Sequence, residues 1–264
     1  MKITPAEQTS CELDISNLDL AVEAIADKGY VILEDVFDES WIKQMRGAVS
    51  AELRSKYAAL DLDPPGNHGG IECPIRMPFI DPHLIENGII TQVLERILGP
   101  RYLGHLPYGC NTAFPGSIKQ NVHRDTGHIF PEIRSAVPPL LLVVNVALDD
   151  FTADNGATEI WPCSHLLVDA DEEESATLKI PEERSKEHPS TQTTMTAGSV
   201  IVRDMRTWHR GMPNKTGQPS TMSMLVFYRQ YFIPDSFSLL LSEEELNQFS
   251  DKSKMIYRLR ANQA

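Results

Sequence analysis

The stretch Pro139-Leu-Leu-Leu-Val-Val-Asn-Val-Ala-Leu148 constrains the fold more than any other. Its leucine and β-branched content reads as a buried strand, because such side chains pack well on a pleated surface. Asp149 to Gly156 supply the turn after it, and from Arg101 onward the chain keeps the same habit of short apolar runs split by Pro, Gly and Asn. Thr158 to Trp161, Val200 to Val202 and Met222 to Tyr231 read as further strands. Short strands separated by turn signals predict a sandwich or barrel.

The first part of the chain has a helical period instead. Asn17 to Gly29 carries an Asn cap, apolar spacing near 3.6 and a Gly stop, and Tyr30 to Leu33 follows as a short strand. From Asp38 to about Leu60, the spacing of Trp41, Ile42, Met45, Val49, Leu53 and Tyr57 predicts a long amphipathic helix packed on a sheet. Residues 61 to 82 are rich in Pro and Gly and carry His68 and Phe79, so they read as a long loop bordering a pocket. Another helix is predicted over Leu84 to Leu98. The acid-rich interval from Leu166 to Thr194, with Asp169, Asp171 and Glu172 to Glu174, reads as a solvated surface insertion rather than a lid. Ser242 and Glu245 have capping-box spacing and open a carboxy-terminal helix. The whole predicts one domain over 1–264: a helical layer to about 100, a β core over about 101–232, and a helix over about 242–260.

With 41% hydrophobic and 23% charged residues in 264, the chain is long enough to bury a full core. No apolar run reaches membrane-spanning length and the start lacks a secretion pattern, so the expected location is the cytoplasm. Cys11, Cys73, Cys110 and Cys163 show no metal or disulfide spacing and are expected as free thiols. The net charge of −13 disfavours nucleic acid and anionic membrane surfaces as partners.

Chemistry concentrates in Gln120-Asn-Val-His-Arg-Asp125. His123 and Asp125 stand two apart, so on an extended strand both side chains point to the same side. An imidazole and a carboxylate together suit a borderline divalent metal, and a distant second histidine would complete a facial triad with open positions. By itself His-x-Asp is a common coincidence. The distal candidate is His209, within Arg203-Asp-Met-Arg-Thr-Trp-His-Arg-Gly-Met-Pro-Asn214, just past a strand-like run.

Three motifs in this order, Gln120-x-x-His123-x-Asp125, Asn155-Gly-Ala-Thr-Glu-Ile-Trp-Pro-Cys-Ser-His165 and Trp208-His-Arg-Gly-x-Pro-Asn214, resemble the phytanoyl-CoA dioxygenase-like family of iron(II)- and 2-oxoglutarate-dependent oxygenases. The resemblance runs from about Leu13 to Tyr231. It implies an α+β, mainly β fold: a distorted double-stranded β-helix, or cupin-like jelly roll, with flanking helices. It also implies that His123, Asp125 and His209 bind Fe(II), that 2-oxoglutarate and O2 take the open positions, and that a small organic substrate is hydroxylated, desaturated or cyclised. Gln120 resembles an amide beside the cosubstrate, and Thr158 a hydroxyl at its distal carboxylate.

One position departs from the family. An arginine usually stands eleven residues after the distal histidine and clamps the distal carboxylate with a bidentate fork; here that residue is Ser220. Arg206 is the first candidate to replace it, ahead of Arg203 and Lys119, with an ion pair to Asp204 or Asp154 as the competing role for Arg206. Ser220 also motivates an alternative, an iron oxygenase of this fold that does not use 2-oxoglutarate. A non-catalytic binding domain is the third reading.

Other residues have plainer expectations. His128 is expected in a turn or pocket wall, Cys163 as a buried free thiol where the family has glycine, and Asn214 pinning the turn after His209. Two or three of Phe79, Tyr108, Phe114, Phe130 and Trp161 are expected to touch substrate. The motifs leave substrate identity open, with a specialised metabolite or amino-acid-like molecule preferred, and leave monomer and homodimer both open.

Overall fold

A computed structural model describes residues 1–59, 68–130, 132–169, 177–234 and 237–262. It is a mixed helix and strand architecture with antiparallel sheets. The larger sheet has seven strands: β1 (Tyr30–Leu33), β2 (His68–Glu72), β3 (Leu103–Gly104), β4 (Gly109–Ala113), β5 (Leu141–Ala147), β8 (Val200–Asp204) and β10 (Ser220–Tyr228). Their order is β1-β8-β5-β10-β4-β2, with β3 also pairing β10. The smaller sheet is β7 (Thr191–Gln192), β6 (Glu159–Ile160) and β9 (His209–Arg210) in that order.

The predicted strand at 139–148 becomes β5, which pairs β8 on one side and β10 on the other. Alternation then sorts its side chains by face. Leu142, Val144 and Val146 join Val200, Val202, Leu225 and Phe227 in the main core, under the helices α1 (Ile15–Lys28), α2 (Glu39–Ala59) and α3 (Gly88–Leu98). The odd-numbered residues look the other way. Ala147 packs with Ile201, Ile160, Phe151 and Met195 in a second cluster that joins the large sheet to the small one. Leu142→Ala would leave a cavity in the main core and destabilise by roughly 2–5 kcal/mol.

The helical layer follows its predicted spacing with local corrections. Helix α1 starts at Ile15 after Asp14, and Asn17 is not its cap: the Asn17 amide donates to the buried Glu7 carboxylate at 2.8 Å. Gly29 ends the helix at φ +87, where an added Cβ would also lie 2.5 Å from the Thr207 hydroxyl. The helix predicted over 84–98 is broken, since Asn87 caps a new start at Gly88. Within the predicted loop 61–82, residues 61–67 lie outside the described region, and His68–Glu72 forms edge strand β2 on β4 instead of loop.

The acid-rich interval contains a short helix, Glu182–Lys186, and β7. Asp171 and Glu172 to Glu174 lie outside the described residues. Asp169 departs from the solvated expectation: it is buried, and the buried Arg124 guanidinium meets both its oxygens at 2.9 and 2.8 Å. The capping box at Ser242 and Glu245 forms. The predicted carboxy-terminal helix, however, is two short helices, Glu243–Leu246 and Asp251–Ile256.

Candidate metal centre

His123 and His209 are brought face to face by a pair of backbone hydrogen bonds, His123 N–H to the His209 carbonyl at 2.9 Å and the reverse at 2.8 Å. The Asp125 N–H is tied to the Met205 carbonyl at 2.9 Å. Ligand atoms of His123, Asp125 and His209 all lie within 4.8 Å of one another. Each histidine turns Nδ1 to the carbonyl two residues before it: Asn121 O at 2.9 Å for His123, Thr207 O at 3.0 Å for His209. A nitrogen facing a carbonyl must donate, so Nδ1 carries the proton and Nε2 keeps its lone pair for a metal.

The electrostatics keep His209 and Asp125 in the form that ligates. Burial pushes the His209 imidazole down to about 3, with the neighbouring Arg203 charge adding to it, so it is neutral at ordinary pH. Burial alone would raise the Asp125 carboxyl. The Arg203 guanidinium, by its charge and its hydrogen bond, outweighs burial and holds it at about 2. Arg203 Nη2 grips Asp125 Oδ2 at 2.6 Å, and Oδ1 stands 3.6 Å from His209 Nε2. Two neutral imidazoles and one anionic oxygen on one side fit a facial site for a divalent metal such as iron(II).

These groups open on a cavity of about 280 Å³ between the two sheets. Phe151, Ile160, Met195, Ile201, Met222 and Met224 form its apolar walls. Gln120, Thr158 and Ser220 all line it, as do His123, Asp125 and His209. Gln120 Oε1 accepts from Gly211 N–H at 2.9 Å, leaving its amide nitrogen as a donor. The Gly in the motif after His209 is explained here, because a Cβ on Gly211 would meet His68 Cε1 at 2.6 Å and Gln120 Oε1 at 2.9 Å. Ser220 is buried at the start of β10, across from Ala113, which in turn faces His68.

Arg206 does not replace the missing clamp. Its Nε and Nη2 fork onto Asp204 at 3.0 and 2.6 Å and its Nη1 donates to the Val137 carbonyl at 2.9 Å, so its donors are engaged away from this cavity. Lys119 stands 3.7 Å from Glu182 and is half exposed. Among the described residues that line the cavity, Arg203 is the one arginine or lysine, and the donors around Ser220 are neutral.

The aromatic expectation is also corrected. Phe79, Tyr108 and Phe114 lie in the main core, Trp161 packs with Trp208, and Phe130 is exposed; Phe151 is the aromatic residue that lines the cavity. Cys163 is exposed, not buried, and takes the left-handed φ of +68 that glycine adopts at low cost. His128 Nε2 contacts the Leu167 carbonyl at 3.0 Å, a turn role. Asn214 pins its turn as expected, bonding Ala113 O and Gln218 O, both at 2.8 Å.

Sequence reasoning named His68 without a role and missed Asn145, Asn111 and Thr193, all lining the cavity. The signal available for Asn145 was its polarity inside the apolar run of β5.

Among known proteins, uncharacterised proteins of Mycobacterium bovis and Mycobacterium tuberculosis are 25% identical over 224 residues, covering 82% of this chain and 77% of theirs. The dioxygenase andF of Emericella variicolor is 24% identical over 164 residues, 60% of this chain and 53% of its own. In fold, the chain is similar to the non-haem α-ketoglutarate-dependent carbocyclase SnoK of nogalamycin biosynthesis, with TM-score 0.61, 17% identity, and coverage of 82% and 84%. It is also similar to the epimerase SnoN in complex with Fe3+, α-ketoglutarate and nogalamycin RO, with TM-score 0.61, 18% identity, and coverage of 86% and 93%. The family model of phytanoyl-CoA dioxygenase matches residues 25–222, well over half of the sequence, and the chain belongs to that family.

Proposed function

We propose that this chain is a non-haem Fe(II) and 2-oxoglutarate-dependent oxygenase that uses O2 to oxidise a small organic molecule. The observation that carries the reading is the cluster of His123, Asp125 and His209, with both Nδ1 atoms committed to carbonyls and the ligand atoms within 4.8 Å on a cavity. The two facing sheets are read as the distorted double-stranded β-helix of the family, and 1–264 as one oxygenase domain. Family membership and the named biosynthetic neighbours support hydroxylation, desaturation or ring formation in specialised metabolism.

Iron with the 2-oxo acid and dioxygen would supply the oxidising power when bound. The protein's own part is positioning. Arg203 holds Asp125 Oδ2 so that Oδ1 faces His209, and the neutral His209 has no proton to lose before it ligates. Gln120 and Thr158 supply neutral donors to the cosubstrate, and the Met and Ile walls keep water from the reacting face. Among the described residues, no helix is long and apolar enough to cross a membrane.

Anaerobic titration with Fe(II) and then 2-oxoglutarate tests the reading; a weak visible charge-transfer band is the expected result. The neutral wall at Ser220 favours a second reading, an iron oxygenase that does not consume 2-oxoglutarate. Succinate measured against product separates the two: equal amounts support the first, and product without succinate supports the second.

A further inference from the structure

Six buried side-chain donors or acceptors lack a hydrogen-bond partner among the described residues: on Tyr102, Tyr108, His165, Arg203, Trp208 and Ser238. Only Arg203 also lines the cavity. Its side chain is 7% exposed; Nη2 is spent on Asp125 Oδ2 at 2.6 Å, and Nη1 is closed off beside the cavity with no partner. A buried donor on a charged group is costly to leave unpaired, so such atoms are rare unless a ligand or water completes them.

The guanidinium is a rigid planar fork. An anion that reaches Nη1 through a small turn of this side chain is therefore held beside Asp125, at the metal end of the cavity. We propose that Arg203 is the anion anchor of this cavity, its free Nη1 binding a carboxylate of an acid placed next to the metal ligands. The anchor has moved from the start of β10, where Ser220 stands, to β8. A carboxylate there satisfies Nη1 with a charge-assisted hydrogen bond and leaves the Asp125 pair intact. The shared chemistry is a carboxylate, whether of a 2-oxo acid cosubstrate or of the substrate itself. The inference rests on reading the triad as a metal site.

The test is binding, not turnover. Protein loaded with redox-inert Mn(II) is titrated with 2-oxoglutarate, pyruvate and glutarate, followed by calorimetry. Native protein is expected to bind at least one. A clear preference for the two 2-oxo acids assigns the anchor to the cosubstrate; equal or tighter glutarate binding assigns it to a substrate carboxylate. Arg203→Lys keeps a cation for Asp125 and loses the fork, so Mn(II) affinity should change by less than about fivefold while carboxylate affinity falls roughly 10- to 150-fold. Arg203→Gln, neutral but still a donor, repeats the measurement if the lysine variant does not fold. Unchanged carboxylate affinity in an Mn(II)-binding variant overturns the proposal and leaves Arg203 as a brace for Asp125. Native protein that binds Mn(II) but none of the three acids overturns it as well, without touching the metal reading. Native protein that fails to bind Mn(II) overturns the metal reading, and the anchor with it.

Discussion

Arg203 and Arg206 sit three residues apart, both buried, and each faces an aspartate, yet they belong to different regions of the molecule. Arg206 is engaged: a two-point fork on Asp204 and a backbone carbonyl hold it away from the cavity. Arg203 holds Asp125 by one nitrogen, at the rim of the cavity, and keeps another buried and unpaired. A closed pair holds structure together and does no more. An open one is a place where something is still to bind, because folding has left the polar group unfinished. The difference could not be guessed from residue type, and it reverses the order in which the two arginines stand as carboxylate clamps.

The largest effect is expected at the metal end. Asp125→Ala removes the one anionic ligand and leaves Arg203 without its partner, so Mn(II) or Fe(II) affinity should fall by roughly 1000-fold or more, about 4 kcal/mol, with turnover lost. Near-native turnover in this variant would sink the triad assignment. His123→Ala and His209→Ala should behave alike.

Next comes the closed pair. Arg206→Met strands the buried Asp204 charge and should destabilise the fold by about 3–5 kcal/mol in chemical denaturation. Mn(II)-dependent binding of 2-oxoglutarate, measured at low temperature on the folded fraction, should stay within about twofold of native. A large loss of binding at full stability would break the comparison, since it would make Arg206 the clamp.

A smaller, opposite change should follow from restoring the family's residue. Ser220→Arg puts a fork at the neutral wall and should tighten 2-oxoglutarate by roughly 10- to 100-fold, the scale of one or two charge-assisted hydrogen bonds. Pyruvate, which has no distal carboxylate, should be unaffected. Equal gains for both acids would mean that the new charge acts through space and not as a clamp.

A pH slope in the metal-free protein tests the burial of the metal end by itself. His209 titrates near 3 when folded and near 6.5 when unfolded, so between those values the unfolded chain binds more protons. Its contribution to stability is complete above about pH 6.5 and is lost as pH falls toward about 3. Denaturation midpoints of native and His209→Asn proteins across pH 4–7 should converge at the acid end. Parallel curves would place the imidazole in a more solvated setting than the one described.

Much of the site was legible in the chain itself, because its signals are local. The spacing of His123 and Asp125 puts both on one side of an extended segment whatever surrounds it. The run at 139–148 has too many β-branched residues to sit comfortably anywhere but in a sheet. The helix stop at Gly29 and the capping box at Ser242 needed only neighbours a few residues away.

What the tertiary structure decided involves partners remote in sequence. His209 reaches His123 through a backbone pairing across the intervening chain. Asp169 leaves the solvent because Arg124, 45 positions earlier, waits for it in the core. His68 reaches the cavity because β2 pairs β4 at the sheet edge. Arg203 lies on β8 and Arg206 in the turn after it, so which arginine is closed and which is open depends on where strand and turn point each side chain. Local preference determines what an element is; only packing determines which remote groups meet and which it leaves unsatisfied.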